Sequence, residues 1–154
     1  MEVCELLAPD RIFDGLKAPS KKKALLELAR HAATITGLPE RTIFDILQER
    51  EKLGTTGVGR GIAIPHGKFP GLDGIYGLFV RLESPINFDS VDNEPVDLIF
   101  LLLAPEAAGA DHLKALARVS RLLRSNVMCD KIRTALNAPE IWNLFTSGQA
   151  SRAA

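Results

Sequence analysis

The chain has 154 residues, 46% of them hydrophobic and 25% charged, and its 19 basic and 19 acidic side chains give a net charge of zero. These values are typical of one ordinary globular domain. They give no reason to expect nucleic acid or an anionic membrane as a partner, because both attract proteins through an excess of positive charge.

Three smaller features complete this picture. Cys4 and Cys129 lie far apart and form no CxxC motif, which favours a reduced, cytoplasmic chain. No apolar segment approaches the roughly 18 residues of a membrane span, so we expect no insertion into a membrane. The one basic cluster, at residues 21–23, is expected on the solvated first turn of a helix.

The first half of the chain predicts two helices. Ser20 is a suitable N-cap for a helix over residues 21–36, which Gly37 would end. Pro39 suits the first turn of a second helix over residues 39–53.

The second half combines strands with helices. Strand-like segments occupy residues 61–64, 74–82 and 96–104. The last is apolar almost throughout, which is typical of a strand covered on both faces. An amphipathic helix opened by Asp111 follows, and two shorter helices complete the chain.

This order of elements predicts an α/β fold. We expect a single layered domain over residues 1–147, in which helices flank both faces of a small mixed central β-sheet. Residues 148–154, "GQASRAA", are expected to form a frayed C-terminal tail.

Two residues break the packing pattern of their helices. Arg50 continues the apolar stripe of the second helix, so its guanidinium must find an anion or emerge at a cleft. The alternative is an arginine whose stem packs while its head stays in water. His112 lies on the core side of its helix near the positive end of the helix dipole, which favours a neutral imidazole. A core histidine with satisfied hydrogen bonds is the alternative there.

A third residue, His66, is held between Pro65 and Gly67 directly after the predicted strand 61–64. Functional sites of α/β sheets lie at strand ends. The proline fixes the backbone, and the glycine is expected to leave room for a ligand or partner. His31, at the edge of a surface helix, is expected to be inert.

The chemistry of these residues can be narrowed by exclusion. The glycine-rich stretch before His66 completes neither GxGxxG nor GxxxxGK[ST], the nucleotide-binding patterns. Metal binding by His66 and His112 lacks a third ligand at matched spacing, and there is no GxSxG motif for a serine triad. We therefore expect no cofactor and no metal. What remains is a histidine nucleophile that accepts a phosphoryl group, whose charge Arg50 and loop N–H groups would stabilise.

The stretch "REKLGTTGVGRGIAIPHGK" resembles the active-site segment of the enzyme IIA domains of the bacterial phosphotransferase system, in the fructose/mannitol and nitrogen-related class. "LLAPDRIFDGLKAPSKKKALLELA" and "DHLKALARVSRLL" extend the resemblance over nearly the whole chain. It is most similar to the free-standing, nitrogen-regulatory branch of that family.

The resemblance implies a role for each candidate residue. His66 would be phosphorylated by an HPr-type phosphocarrier protein, and Arg50 would help to bind the phosphoryl group. His112 would be a second active-site residue that either donates a hydrogen bond to a phosphoryl oxygen or orients His66.

Two functions follow from these roles. In the first, the chain is a phosphotransferase with a phosphohistidine intermediate that regulates target proteins according to its phosphorylation state. In the alternative, it passes the phosphoryl group to a fructose- or mannitol-type sugar permease domain. In both, we expect an apolar partner face around the histidine. Phe69, Leu72 and Ile75 are candidates for it, and the alternative is that they belong to the core.

Overall fold

The computed structural model describes residues 2–153, with side chains as far as residue 147. The α-helices are α1 (Val3–Leu6), α2 (Lys21–Thr36), α3 (Glu40–Lys52), α4 (Ala110–Leu123), α5 (Asn126–Thr134) and α6 (Ala138–Ala153). The strands are β1 (Ile12–Leu16), β2 (Gly57–Gly59), β3 (Ile62–Ala63), β4 (His66–Phe69), β5 (Tyr76–Ile86) and β6 (Val96–Pro105). Single turns of 3₁₀-helix cover Pro9–Arg11 and Glu106–Ala108.

The six strands form one mixed sheet, in which five follow the order β1-β5-β6-β3-β2 and the sixth, β4, also pairs with β6. Strand β6 is central: it pairs antiparallel with β5 along one edge and parallel with β3 along the other. β4 pairs with β6 further along that second edge, so β3 and β4 follow one another beside the same strand. The predicted mixed central sheet is confirmed.

Helices cover both faces of this sheet. Alternate residues of β6 point to opposite sides, so Ile99 and Leu101 pack with α2 and α3 while Leu98 and Phe100 pack with α1, α4, α5 and α6. Residues 98–104 are all 0% exposed. The predicted α/β architecture, with a strand covered on both faces, is therefore confirmed.

The first predicted helix is confirmed in detail. The Ser20 hydroxyl accepts a hydrogen bond from the Lys23 N–H at 3.2 Å, and Gly37 ends α2 with φ of +78°. The expected solvation of the basic cluster is wrong for Lys21. Its side chain is only 19% exposed and pairs with the Glu51 carboxylate at 3.0 Å.

Other boundaries shift by a few residues. Pro39 is the N-cap of α3 rather than part of its first turn. Asp111 lies inside the first turn of α4, whose N-cap is Gly109. The prediction missed α1, β1, β2 and β4, which are short. The frayed tail was expected over residues 148–154. The side chains of residues 148–153 and the whole of residue 154 lie outside the described part of the chain, so the frayed tail stays a prediction.

Candidate functional site

His66 lies where β3 and β4 meet along the edge of β6. The Pro65 carbonyl between them accepts a hydrogen bond from the Leu102 N–H at 3.0 Å. His66 itself pairs with Leu102 in the β4–β6 register and is half-buried. The histidine is therefore the first residue of its own short strand, and its backbone is tied to the central strand of the sheet.

A hydrogen bond fixes the tautomer of His66. Its Nδ1 lies 2.8 Å from the Ile64 carbonyl oxygen. Because a carbonyl can only accept, Nδ1 carries the proton and the Nε2 lone pair is left available. Burial lowers the pKa of His66 below its ordinary value, and the positive charge of Arg50 lowers it further. The ring is therefore a neutral base with one free nitrogen.

His112 lies in the first turn of α4, with its ring against that of His66. The ring centroids are 5.7 Å apart and the planes meet at 67°. His112 is 7% exposed, and its buried Nε2 has no hydrogen-bond partner among the described residues. Burial, followed by the charges of His66 and Lys68, lowers its pKa. Such an orphaned nitrogen is uncommon in a folded protein and is found where a ligand is expected to supply the partner.

Arg50 reaches the same place from the last turn of α3. Its Nη1 donates to the Gly54 carbonyl at 2.9 Å, so the guanidinium does emerge beside the glycine-rich loop.

Arg50 and His66 are thus brought together at one cleft of about 200 Å³, and His112 joins them through its ring contact with His66. Arg50 and His66 line it, with Leu116 and Ser120 one and two turns along α4 from His112. The full lining is Arg50, Thr55, Thr56, Val58, Ile64, His66, Leu116 and Ser120.

Gly57 and Gly67 beside this cleft allow close packing, whereas we expected the glycines to provide space and N–H groups for a ligand. A Cβ on Gly67 would lie 3.0 Å from the Ile46 side chain, so Gly67 allows β4 to pack on α3 and leaves no room for a ligand. A Cβ on Gly57 would collide with Ser90. The Gly57 N–H donates to the Thr55 hydroxyl at 3.0 Å and is not presented to the cleft.

A buried carboxylate holds the loop in place, and the sequence prediction missed it. Glu51 accepts hydrogen bonds from the N–H and the hydroxyl of Thr56 and pairs with Lys21. The side chain of Glu51 is only 6% exposed. It lies four residues after Leu47 on the apolar stripe of α3, so the pattern that singled out Arg50 could also have found it.

The three candidates for an apolar partner face take the alternative of core residues in two cases. Phe69 and Leu72 are 0% and 8% exposed and belong to the core on the α2–α3 side of the sheet. Ile75 is partly buried and packs against the core on the opposite side. The exposed apolar side chains near the site are instead Leu53, Val58 and Leu113, at 85%, 47% and 68%.

Comparison with known proteins places this chain in a family. Residues 5–148 match the family described as "Phosphoenolpyruvate-dependent sugar phosphotransferase system, EIIA 2". The chain therefore belongs to the type 2 enzyme IIA family of the phosphotransferase system.

Several relatives belong to its nitrogen-regulatory branch. A "Nitrogen regulatory protein" of Bradyrhizobium diazoefficiens is 55% identical over 153 residues, which is 99% of this chain and all of that protein. The crystal structure of the nitrogen regulatory protein IIA-Ntr from Neisseria meningitidis is 34% identical, with a TM-score of 0.88 over 93% of this chain and 98% of that one. A fructose-specific EIIA component of Haloferax volcanii is 34% identical over 88% of this chain and 90% of that protein.

Two further observations concern the described residues alone. None of the helices between residues 2 and 153 is long and apolar enough to cross a bilayer. In the same part of the chain, no three histidine, cysteine or carboxylate side chains are grouped as the ligands of a metal ion would be.

Proposed function

We propose that the protein accepts a phosphoryl group on Nε2 of His66 from an HPr-type phosphocarrier protein and regulates other proteins according to its phosphorylation state. The observation that carries this proposal is the Nδ1 hydrogen bond to Ile64, which leaves Nε2 as the free nitrogen of a neutral ring. A neutral imidazole nitrogen is a competent nucleophile toward phosphorus.

The transfer exchanges one P–N bond for another. The Nε2 lone pair of His66 attacks the phosphorus carried by the histidine of the phosphocarrier. The bond between that phosphorus and the carrier's nitrogen breaks, and its electron pair returns to the carrier's imidazole, which holds a proton on its other nitrogen and therefore leaves as a neutral ring. The Nδ1 proton of His66 stays on the hydrogen bond to Ile64, so the protein's own ring loses no proton during the step.

Arg50 and His112 stabilise the transferred group. The transition state spreads negative charge over three phosphoryl oxygens, so fixed donors and cations in a confined site lower its energy. Arg50 provides a cation at the wall of the cleft. The buried Nε2 of His112 lacks a partner, and as N–H it would donate to a phosphoryl oxygen. This supports the donating role of His112 over an orienting one.

A regulatory outcome is supported by the relatives named nitrogen regulatory proteins. A phosphoryl group brings about −1.5 to −2 charges to a cleft with an apolar rim, which is enough to change which surfaces bind there. We place this exchange in the cytoplasm, since the buried thiol of Cys129 suits a reducing compartment.

The second candidate is transfer to a fructose- or mannitol-type sugar permease domain, which the similarity to a fructose-specific EIIA component favours. Transfer of label from the phosphorylated protein to a purified permease IIB domain would support this alternative. Phosphorylation-dependent binding of a protein outside sugar transport would support regulation.

The central test is phosphorylation of the purified protein. Incubation with the phosphorylated carrier should give an acid-labile, base-stable label on wild type and none on His66→Ala. Arg50→Ala should keep its fold by circular dichroism and accept label about 10²-fold more slowly, the size of effect typical for loss of one stabilising group. An unlabelled wild type, or equal labelling of His66→Ala, would refute the proposal.

A further inference from the structure

One exposed face of α4 borders the cleft, and we call it the α4 face: Leu113, Ala117, Ser120, Arg121 and Arg124. Ser120 lines the cleft, and Leu113 follows His112 directly. Ala117 lies one turn before Ser120, and Arg124 lies one turn after it. Arg121 lies one turn after Ala117. Residues one turn apart share a face of a helix, so these side chains continue outward from Ser120 along the helix surface. All three are exposed. The α4 face therefore runs from the mouth of the cleft onto open surface.

The α4 face carries positive charge without local compensation. Residues 110–124 contain four cations and one carboxylate, although the whole chain is neutral. Arg118, on the other side of the helix, has the Glu2 carboxylate at 3.9 Å. Within the described residues, no carboxylate lies within ion-pairing distance of Lys114, Arg121 or Arg124.

A further cation is fixed beside this face. The guanidinium of Arg60 donates to the carbonyls of Leu123 and Arg124, at 3.0 and 3.1 Å, and to the Asn126 side chain at 2.9 Å. These acceptors are neutral and hold the Arg60 side chain in position. The Asp92 carboxylate accepts from the Arg60 backbone N–H at 2.9 Å, and that bond, together with the Arg60 charge, lowers the pKa of Asp92, so part of the charge is balanced there. The Arg60 carbonyl in turn accepts from Arg133, which is itself paired with Asp97.

We propose that the α4 face is the docking surface for the phosphocarrier, and that the carrier surface around its phosphohistidine is acidic. This inference rests on the proposed function. The apolar Leu113 would lie at the centre of the contact, and Arg121 and Arg124 would form its charged rim. Charges at the rim of an interface mainly raise the rate of encounter and select the correct partner.

The test separates docking from chemistry by using two phosphodonors. One is the phosphorylated HPr-type carrier. The other is phosphoramidate, a small donor whose P–N bond breaks to release ammonia as the bond to Nε2 forms, and which needs no docking surface. The test variant is Arg121→Glu/Arg124→Glu. Its matched control is Lys22→Glu/Lys23→Glu, which reverses two exposed cations at the start of α2.

With the carrier as donor, we expect Arg121→Glu/Arg124→Glu to accept label at least about tenfold more slowly at low salt, within the range of electrostatic effects on encounter. The difference should shrink toward about 1 M salt, where charges are screened within about 3 Å. With phosphoramidate, the variant should match wild type within about twofold. The control variant should match wild type with both donors.

Binding of the unphosphorylated carrier tests whether the carrier surface around its histidine is itself acidic. If the carrier's own side chains supply the negative charge, Arg121→Glu/Arg124→Glu should also weaken binding of the unphosphorylated carrier. Unchanged binding would overturn that part of the inference. Carrier transfer at the wild-type rate, or equal losses with both donors, would overturn the docking surface. Failure of both donors to label wild-type His66 would refute the proposed function instead.

Discussion

The Glu51 carboxylate joins three segments of the chain at the edge of the cleft. Thr56 in the loop donates to it twice, and Lys21 at the start of α2 pairs with it at 3.0 Å. Because the side chain is only 6% exposed, these donors replace water as the partners of its charge. Glu51 also follows Arg50 directly, so the contacts that fix the carboxylate fix the end of the helix that carries the arginine.

We expect Glu51→Gln to lower the free energy of unfolding by about 1–3 kcal/mol, because the amide cannot accept from all three donors. Urea denaturation measures this change. Burial lowers the pKa of His66 most, and the charge of Glu51 opposes that effect. The variant should therefore show a lower His66 pKa in an NMR titration.

The matched control for this prediction is Glu49→Gln, two residues before Glu51 and on the exposed side of α3. The Glu49 carboxylate is 71% exposed and pairs with Lys52 on the surface. Its loss should change stability by less than about 0.5 kcal/mol. Equal losses of stability in the two variants would show that the buried contacts of Glu51 contribute no more than the surface ion pair of Glu49.

At the scale of elements, the site depends on how closely β4 lies on α3. Gly67 allows this approach, since a Cβ there would be 3.0 Å from Ile46 Cγ2 and 3.2 Å from the ring of Phe69. Both neighbours are packed against the core. The strand that begins with His66 and the helix that carries Arg50 in its last turn can thus pack closely because Gly67 has no side chain.

Gly67→Ala should destabilise the protein by about 1–3 kcal/mol, the usual effect of overpacking. Adding Ile46→Ala should make the combined loss smaller than the sum of the two single losses, because it removes the atom that the new methyl group meets. The control is Gly74→Ala, since a Cβ at Gly74 has nothing within 4 Å. Urea midpoints of the four variants measure this, and strict additivity would exclude the contact.

The long elements could be predicted from sequence, and of the short strands only β3 could. Helix α2 has its own cap signals, Ser20 and Gly37, and β6 is apolar along its whole length. Strands β2 and β4, which were not predicted, have three and four residues. β2 exists because it pairs with β3, and β4 exists because it pairs with β6, some 35 residues away in the chain. Local patterns contain no information about such pairing.

At the scale of the whole molecule, the three histidines respond to acid in the same direction. Burial is the main cause of the lowered pKa of His31, His66 and His112. In the unfolded chain each would titrate near its ordinary pKa of about 6.5. Between that value and the lower folded-state values, the unfolded chain binds more protons, so stability falls as the pH falls.

We therefore expect the free energy of unfolding to decrease as the pH is lowered from about 7 to about 5, by at most about 1.4 kcal/mol per pH unit for each histidine. Urea denaturation at several pH values measures this slope. His31→Gln, which lies outside the cleft and stacks on Phe13, should reduce the slope by its own share. Stability that rose on acidification over this range would contradict the prediction.

The candidate site could be predicted in part, where a local sequence pattern marked the residue. Arg50 and His112 were noticeable because each is a polar residue on an apolar helical stripe, and the structure brings both to His66. The tautomer of His66 could not be predicted, since it depends on where the Ile64 carbonyl points. Nor could the packing role of Gly57 and Gly67, which depends on side chains that are distant in sequence or on another element.

The attachment of His66 to the central strand has a consequence for how the protein would receive and pass on a phosphoryl group. The hydrogen bond from Leu102 to Pro65 and the pairing of His66 with β6 hold the backbone of the acceptor at one place in the sheet. On the proposed function, donor and recipient must therefore come to the same mouth of the same cleft, one after the other. The two partners compete for one binding site, so an excess of either should slow phosphoryl transfer with the other.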